Sequence, residues 1–213
     1  FMAINESDGD LQLAIADMGI IDRLTPDFLS KKHDVLSNAA AIVLETNLTQ
    51  ETLAYVATHY HHVPLFCDAV SAIKAEKIKG ILGHFHTLKP NQLEAEYLSG
   101  VTITDERSLS KAAAYFLDQG VAQLFLTLGK KGAYFANHQA SGYMPAPRKR
   151  PKNTLGAGDA FVATTVEGLM SQRSIEETTR YAMLAAYMTL QHEYTVNATL
   201  SMHALDKLSE ELN

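Results

Sequence analysis

Apolar and polar positions alternate with two different periods along the chain. At the start, Phe1–Asn5 and Leu11–Ala16 are short apolar stretches on either side of Glu6-Ser7-Asp8-Gly9-Asp10. This predicts a β-hairpin with Asp-Gly in its turn. Further on, apolar runs of strand length at Ala39–Glu45, Val63–Asp68, Phe85–Leu88 and Val121–Leu128 are separated by segments of helical period. The helices are expected at Thr25–Ser37 with Pro26 in its first turn, Thr49–Tyr60 with Thr49 as N-cap, and Ser71–Leu82. Two more are expected at Gln92–Ser99, closed by Gly100, and Ser108–Gln119, closed by Gly120. Tyr134–Asn137 and Gly142–Met144 read as a second hairpin. Ala160–His192 reads as two helices joined near Gln172–Ser174, and Met202–Leu212 as a last amphipathic helix. Strands alternating with helices predict βαβ units, hence an α/β fold with a mainly parallel sheet covered on both faces. Such sheets bind ligands outside the carboxyl ends of their strands.

Composition narrows the class. With 213 residues, 46% of them apolar and 20% charged, the chain has enough apolar side chains for one large domain and too few charges for disorder. No apolar run approaches the roughly 18 residues of a membrane span, and no signal-peptide pattern opens the sequence. A single cysteine, Cys67, forbids an internal disulfide and suits a reducing cytoplasm. The net charge of −6 argues against nucleic acid as a partner and leaves small molecules as the expected ligands, with no membrane partner. The first residue is Phe1, inside a predicted strand, so an N-terminal portion is expected to be missing.

Three motifs follow predicted strands or open a helix. Asn153-Thr154-Leu155-Gly156-Ala157-Gly158-Asp159 runs directly into a helical segment. Its glycines let backbone amides gather at a helix N-terminus, where an anion is favoured, with Asp159 beside it as a proton acceptor. The bland alternative is a glycine turn with Asp159 complementing the helix dipole. Thr127-Leu128-Gly129-Lys130-Lys131-Gly132 ends a strand and offers a hydroxyl and backbone donors to phosphate, although it lacks Walker A spacing and reads equally as a tight turn. Lys89-Pro90-Asn91-Gln92-Leu93-Glu94 predicts a capping box between Asn91 and Glu94, and Glu94 could also hold Mg²⁺ near a nucleotide's phosphates. His59, His61 and His62, with His84 and His86, have metal-like spacing but no nearby carboxylate or cysteine, and read as surface histidines. Arg148–Lys152 reads as a solvated edge segment and Cys67 as an inert core thiol, while Glu45 and Asp68 fall at strand carboxyl ends.

Taken in order, Asn91-x-x-Glu94, Thr127-x-Gly129-x-x-Gly132 and Asn153-Thr154-x-Gly156-Ala157-Gly158-Asp159 resemble the PfkB, or ribokinase-like, family of carbohydrate and nucleoside kinases. The resemblance covers the whole chain. Within that family it is greatest to the pseudouridine kinases, on Glu45-Thr46-Asn47-Leu48, Asp68-Ala69-Val70-Ser71-Ala72-x-Lys74, His86-Thr87-Leu88-Lys89-Pro90-Asn91-x-Leu93-Glu94-Ala95-Glu96 and Glu193-Tyr194-Thr195. It implies a ribokinase-like three-layer α/β/α sandwich, with residues 1–16 as the remnant of a β lid and 17–213 as the core. The N-terminal portion and most of the lid, with the family's Gly-Gly sugar motif, would be missing.

The resemblance further implies ATP-dependent phosphorylation of a primary hydroxyl, with pseudouridine as the first candidate acceptor. Other PfkB sugar kinases (ribose or fructose) and a truncated, non-catalytic nucleotide-binding remnant are the alternatives. Asp159 would be the base and meet the acceptor, and Gly156, Ala157 and Gly158 would form the anion hole. Asn91 and Glu94 would organise the phosphates and Mg²⁺, with Glu94 on the metal. Thr127, Gly129 and Gly132 would line the ATP phosphate channel, Glu45 would contact the acceptor, and Ala182–Ala186 would lie near adenine. Many family members carry Asp where this chain has Asn153, at a monovalent-cation site, which leaves K⁺ open. A homodimer through the lid is implied as well.

Overall fold

Runs of consecutive buried apolar residues mark the strands at the centre of the fold. In the computed structural model, which describes residues 2–5, 11–147 and 155–211, the chain divides into two compact units. One comprises residues 18–129 and 133–143; the other comprises residues up to Asp17, Lys130–Gly132 and the chain from Met144 onward.

The first unit is built on a sheet of β3 (Ile42–Glu45), β4 (Leu65–Asp68), β5 (Thr87–Lys89) and β6 (Gln123–Thr127), parallel and adjacent in that order. β7 (Gly132–Asn137) adds antiparallel to β6, and β8 (Ser141–Pro145) follows at the edge. Leu65, Phe66 and Cys67 are all buried although successive side chains point to opposite faces, so the sheet is covered on both sides at β4. β3 is an edge strand and exposes Val43. Helices α3 (Gln50–His59), α5 (Gln92–Ser99) and α6 (Glu106–Asp118) supply Leu53, Val56, Leu98, Ala112 and Phe116 to the core. A fully buried Leu or Phe contributes about 1.5–3 kcal/mol. Their limits follow from their caps. Thr49 accepts from Thr52 N, Asp105 and Ser108 form a capping box, and Gly100 closes α5 with φ 69°.

Two expected helices come out differently. Thr25–Ser37 is broken into α1 (Pro26–Ser30) and α2 (His33–Ser37) by a turn at Lys31–Lys32. Neither piece has a fully buried residue; each packs one partly buried leucine, Leu29 or Leu36, against the core. Ser71–Leu82 is α only over α4 (Ala72–Ala75) and continues as a 3-10 helix over Glu76–His84. Gly80 and Gly83 lie in that stretch, and a Cβ on Gly83 would come within 2.5 Å of the Gln119 carbonyl.

The second unit holds a two-stranded antiparallel sheet, β1 (Met2–Asn5) and β2 (Leu11–Ile15), and helices α7 (Ala157–Met170), α8 (Ile175–Leu190) and α9 (Met202–Glu211). The expected first hairpin is present as a strand pair, and its turn at residues 6–10 lies outside the described residues. So do Phe1, the basic run Arg148–Lys152, and Asn153 and Thr154. α7 and α8 approach closely because Gly168 faces Thr178, whose Oγ1 would be 2.4 Å from an added Cβ. Tyr181 Oη donates to Asp206 Oδ1 at 2.7 Å and ties α8 to α9. Among the described residues no helix is long and apolar enough to cross a membrane.

Candidate active site

Parallel pairing aligns the last residues of three strands. Glu45 is opposite Asp68, and Asp68 opposite Lys89. Lys89 Nζ donates to Asp68 Oδ2 at 2.7 Å, with side chains only 10% and 16% exposed. The other Asp68 oxygen accepts from Val70 N at 3.2 Å. Val70 takes φ 56°, a costly conformation for a β-branched residue, in the turn that returns this amide to the carboxylate.

From Lys89 the chain passes through Pro90 into α5. Asn91 Oδ1 accepts from Glu94 N at 3.0 Å, while the Glu94 oxygens accept from Asn91 N at 2.7 Å and Asn91 Nδ2 at 2.6 Å. The expected capping box is therefore present, and it seats a carboxylate that is 2% exposed. Burial pushes the Glu94 carboxyl up, against the Asn91 bond and the Lys89 charge, which pull it down; the Asp68 charge pushes it further up. Thr127 joins the group: its N donates to Pro90 O at 2.9 Å, and a parallel bridge links it to Asn91. Glu45, Asp68, Lys89, Asn91, Glu94 and Thr127 thus share the carboxyl edge of one sheet. Cys67 lies beneath it, buried, its thiol pushed far up by burial and by the neighbouring carboxylates, which makes it inert as a nucleophile. Gly129, at φ 57°, begins the turn after β6 and has open space where a Cβ would be.

In the second unit the glycines do their work through backbone and space. Gly132, at φ 131°, would place a Cβ 2.0 Å from the Met144 carbonyl. Gly156 is the N-cap of α7 with φ 83° and no side-chain cap, and a Cβ there would lie 2.2 Å from Thr195 O. The first helical bond runs from Ala160 N to Gly156 O at 2.9 Å, so the amides of Ala157, Gly158 and Asp159 precede it. Asp159 stands in this first turn with its side chain exposed. A helix start of this kind offers donors and a favourable dipole to an anion, with a carboxylate close by.

The remaining expectations are placed as follows. Ala182–Ala185 are buried inside α8. His59 and His61 are exposed and donate to Tyr55 O and Thr58 O, both at 2.9 Å. His86 is half-buried against Phe66, and burial lowers its pKa. The described residues contain no group of three or more His, Cys, Asp or Glu that could hold a metal. Sequence reasoning gave Lys89 and Thr195 no role. The signal for Lys89 was opposite charges at the ends of adjacent strands; for Thr195, a carbonyl contact, there was none.

Comparison with known proteins identifies the family. Pseudouridine kinase of Escherichia coli (strain K12) is 34% identical over 211 residues, 99% of this chain and 67% of that protein. A sugar-kinase-like protein of Clostridium perfringens has a solved structure that superposes with TM-score 0.87 at 34% identity, covering 98% of this chain and 66% of that one. Ribokinase of Arabidopsis thaliana, solved with ribose and ATP, shares the fold with TM-score 0.73 at 24% identity, covering 84% of this chain and 58% of its own. The model of the pfkB family of carbohydrate kinases matches residues 2–201, and the chain belongs to that family.

Proposed function

We propose that the chain carries the phosphoryl-transfer part of an ATP-dependent kinase that phosphorylates a primary hydroxyl of a nucleoside or sugar, pseudouridine first, to give pseudouridine 5′-phosphate. The observation that carries this reading is the start of α7: an uncapped glycine turn with the exposed Asp159 in its first turn. Asp159 accepts the hydroxyl proton as the oxygen attacks the γ-phosphorus and the bond to the ADP oxygen breaks. The amides of Ala157, Gly158 and Asp159 hold the transferring phosphoryl, which needs positioning and charge stabilisation more than covalent chemistry. Glu45 orients the acceptor.

Asn91, Glu94 and Thr127 of the strand-end cluster serve the nucleotide. Mg²⁺ is usually held by one or two carboxylates together with phosphates and water. A single buried carboxylate at Glu94, with Asp68 already paired to Lys89, fits an ion that arrives on the nucleotide. Such an ion neutralises charge on the phosphates. Asn91, Thr127, Gly129 and Gly132 then position the phosphates through amide, hydroxyl and backbone donors.

Two further assignments go with this reading. Met2 pairs with Ile15 and Ile4 with Leu13, which puts four exposed apolar side chains on one face of the β1–β2 sheet. We assign this face to a homodimer. The lone buried thiol, Cys67, supports a cytoplasmic setting.

The test is ADP release with ATP·Mg over pseudouridine, uridine, ribose and fructose. Pseudouridine is expected to be preferred; turnover of ribose with none of pseudouridine would overturn the acceptor. With the preferred acceptor, Asp159→Asn should lower kcat by about 10²–10⁴ with nucleotide affinity unchanged. Near-normal kcat would remove Asp159 as the base.

A further inference from the structure

The segments Glu45–Leu48 and Ser71–Lys77 are far apart in sequence but are joined by side-chain bonds. Asn47 Nδ2 donates to Glu45 Oε2 at 2.6 Å, and Lys74 Nζ donates to Asn47 Oδ1. The orientation of this amide is fixed by chemistry, because an ammonium only donates and a carboxylate only accepts. Lys77 grips the same turn differently, donating to the carbonyls of Thr46 at 3.0 Å and Leu48 at 2.9 Å. Thr46 is fully buried, and its N donates to Asp68 O at 3.2 Å. The backbone of the turn is thus already held by Lys77 and by the strand. Lys74 adds no backbone contact there; its bond ends on the side chain that holds Glu45.

From this division of labour we propose that Lys74, acting through Asn47, is a positioning residue for Glu45 and sets affinity for the acceptor hydroxyl. The proposal rests on the reading that Glu45 meets the acceptor. A carboxylate held at one oxygen by an amide donor has lone pairs on its second oxygen for a hydroxyl donor. Lys74 polarises the amide toward Glu45 and stops the carboxylate rotating. It also places a positive charge two hydrogen bonds away, where it balances Glu45 without covering it.

The experiment is steady-state kinetics on the chain with pseudouridine and ATP·Mg for wild type, Glu45→Gln, Lys74→Met, Asn47→Ser, Lys77→Met and the Lys74→Met/Glu45→Gln double variant. Lys74→Met should raise the acceptor KM about tenfold and leave the ATP KM unchanged. Asn47→Ser, which keeps the lysine, should reproduce that effect if Lys74→Met folds poorly. The double variant should be no worse than Glu45→Gln alone, since both changes act on one carboxylate. Lys77→Met should lower thermal stability with less effect on the acceptor KM. An acceptor KM unmoved by both Lys74→Met and Asn47→Ser, or effects that multiply in the double variant, would overturn the proposal while leaving the kinase reading in place. An acceptor KM unmoved by Glu45→Gln, or a wild type that turns over no acceptor, would overturn the reading of Glu45 and the proposal with it.

Discussion

Asp68 and Lys89 end adjacent buried strands and pair with each other, and Glu94 in the first turn of α5 is held by Asn91 near the Lys89 charge, whereas Gly156–Asp159 begin a helix that no side chain caps. The first region was taken out of water, so each ionised group depends on a specific partner. The second keeps its donors on the backbone, and its side chains matter mainly by being absent at Gly156 and exposed at Asp159. Replacing side chains should therefore be felt strongly in one region. In the other, adding atoms should be felt strongly and removing them hardly at all.

The largest expected effect on stability tests the charged region. Lys89→Met leaves Asp68 and Glu94 as neighbouring carboxylates without their cation, and should cost about 3–5 kcal/mol in urea unfolding. The loss comes from the orphaned charge, so adding Asp68→Asn to Lys89→Met should restore a large part of it. A double variant as unstable as Lys89→Met would show that lost packing of the lysine stem dominates, and the contrast between the regions would weaken.

How far these regions were legible in the sequence follows the same division. The capping box at Asn91–Glu94 was readable because its chemistry lies within four residues, and α5 begins and ends where its cap and Gly100 require. The parallel direction of β3–β6 followed from apolar runs alternating with helices, but their order in the sheet did not. For the Lys89–Asp68 pair the opposite charges at the ends of two apolar runs were visible, but their meeting depends on the register between strands and was not. The 3-10 continuation through Glu76–His84 was not readable either, and the close approach of Gly83 to the Gln119 carbonyl within it is a contact between distant segments. At Gly156 the need for glycine was visible from the motif. The Thr195 carbonyl that enforces it was not, since any residue supplies a carbonyl.

Gly156→Ala is the corresponding probe of the helix start. The left-handed φ of 83° and the 2.2 Å approach to Thr195 O both oppose a Cβ, and together should cost about 2–4 kcal/mol. Gly129→Ala separates the two causes. It shares a positive φ of 57° but has open space, so it should cost about 1–2 kcal/mol in the same urea titration. Equal losses at the two positions would show that conformation alone, not crowding, reserves Gly156.

A pH titration probes the desolvation of Glu94. Its carboxyl is pushed up in the folded chain, so just above the ordinary glutamate range the native state binds a proton that the unfolded chain has released. The contribution of this group to stability is present below that range and falls as pH rises through the raised value. The unfolding free energy of wild type relative to Glu94→Gln should therefore decline across this window. A difference that rises with pH would mean that the Asn91 bonds and Lys89 outweigh burial.

The smallest expected effect discriminates best between the regions. Thr195 stands against Gly156 through its carbonyl at 2.2 Å and its Cγ2 at 2.9 Å from the Cβ position, and its backbone is unchanged in Thr195→Ala. That variant should alter stability by no more than about 0.5 kcal/mol. It should also fail to rescue Gly156→Ala, because the obstructing oxygen remains. In the strand-end region a comparably small truncation, Asn91→Ala, removes the Glu94 cap and should cost about 1 kcal/mol or more. Rescue of Gly156→Ala by Thr195→Ala would move the obstruction from the carbonyl to the methyl group. The start of α7 would then depend on side-chain packing after all, and the turn could be widened without moving the backbone.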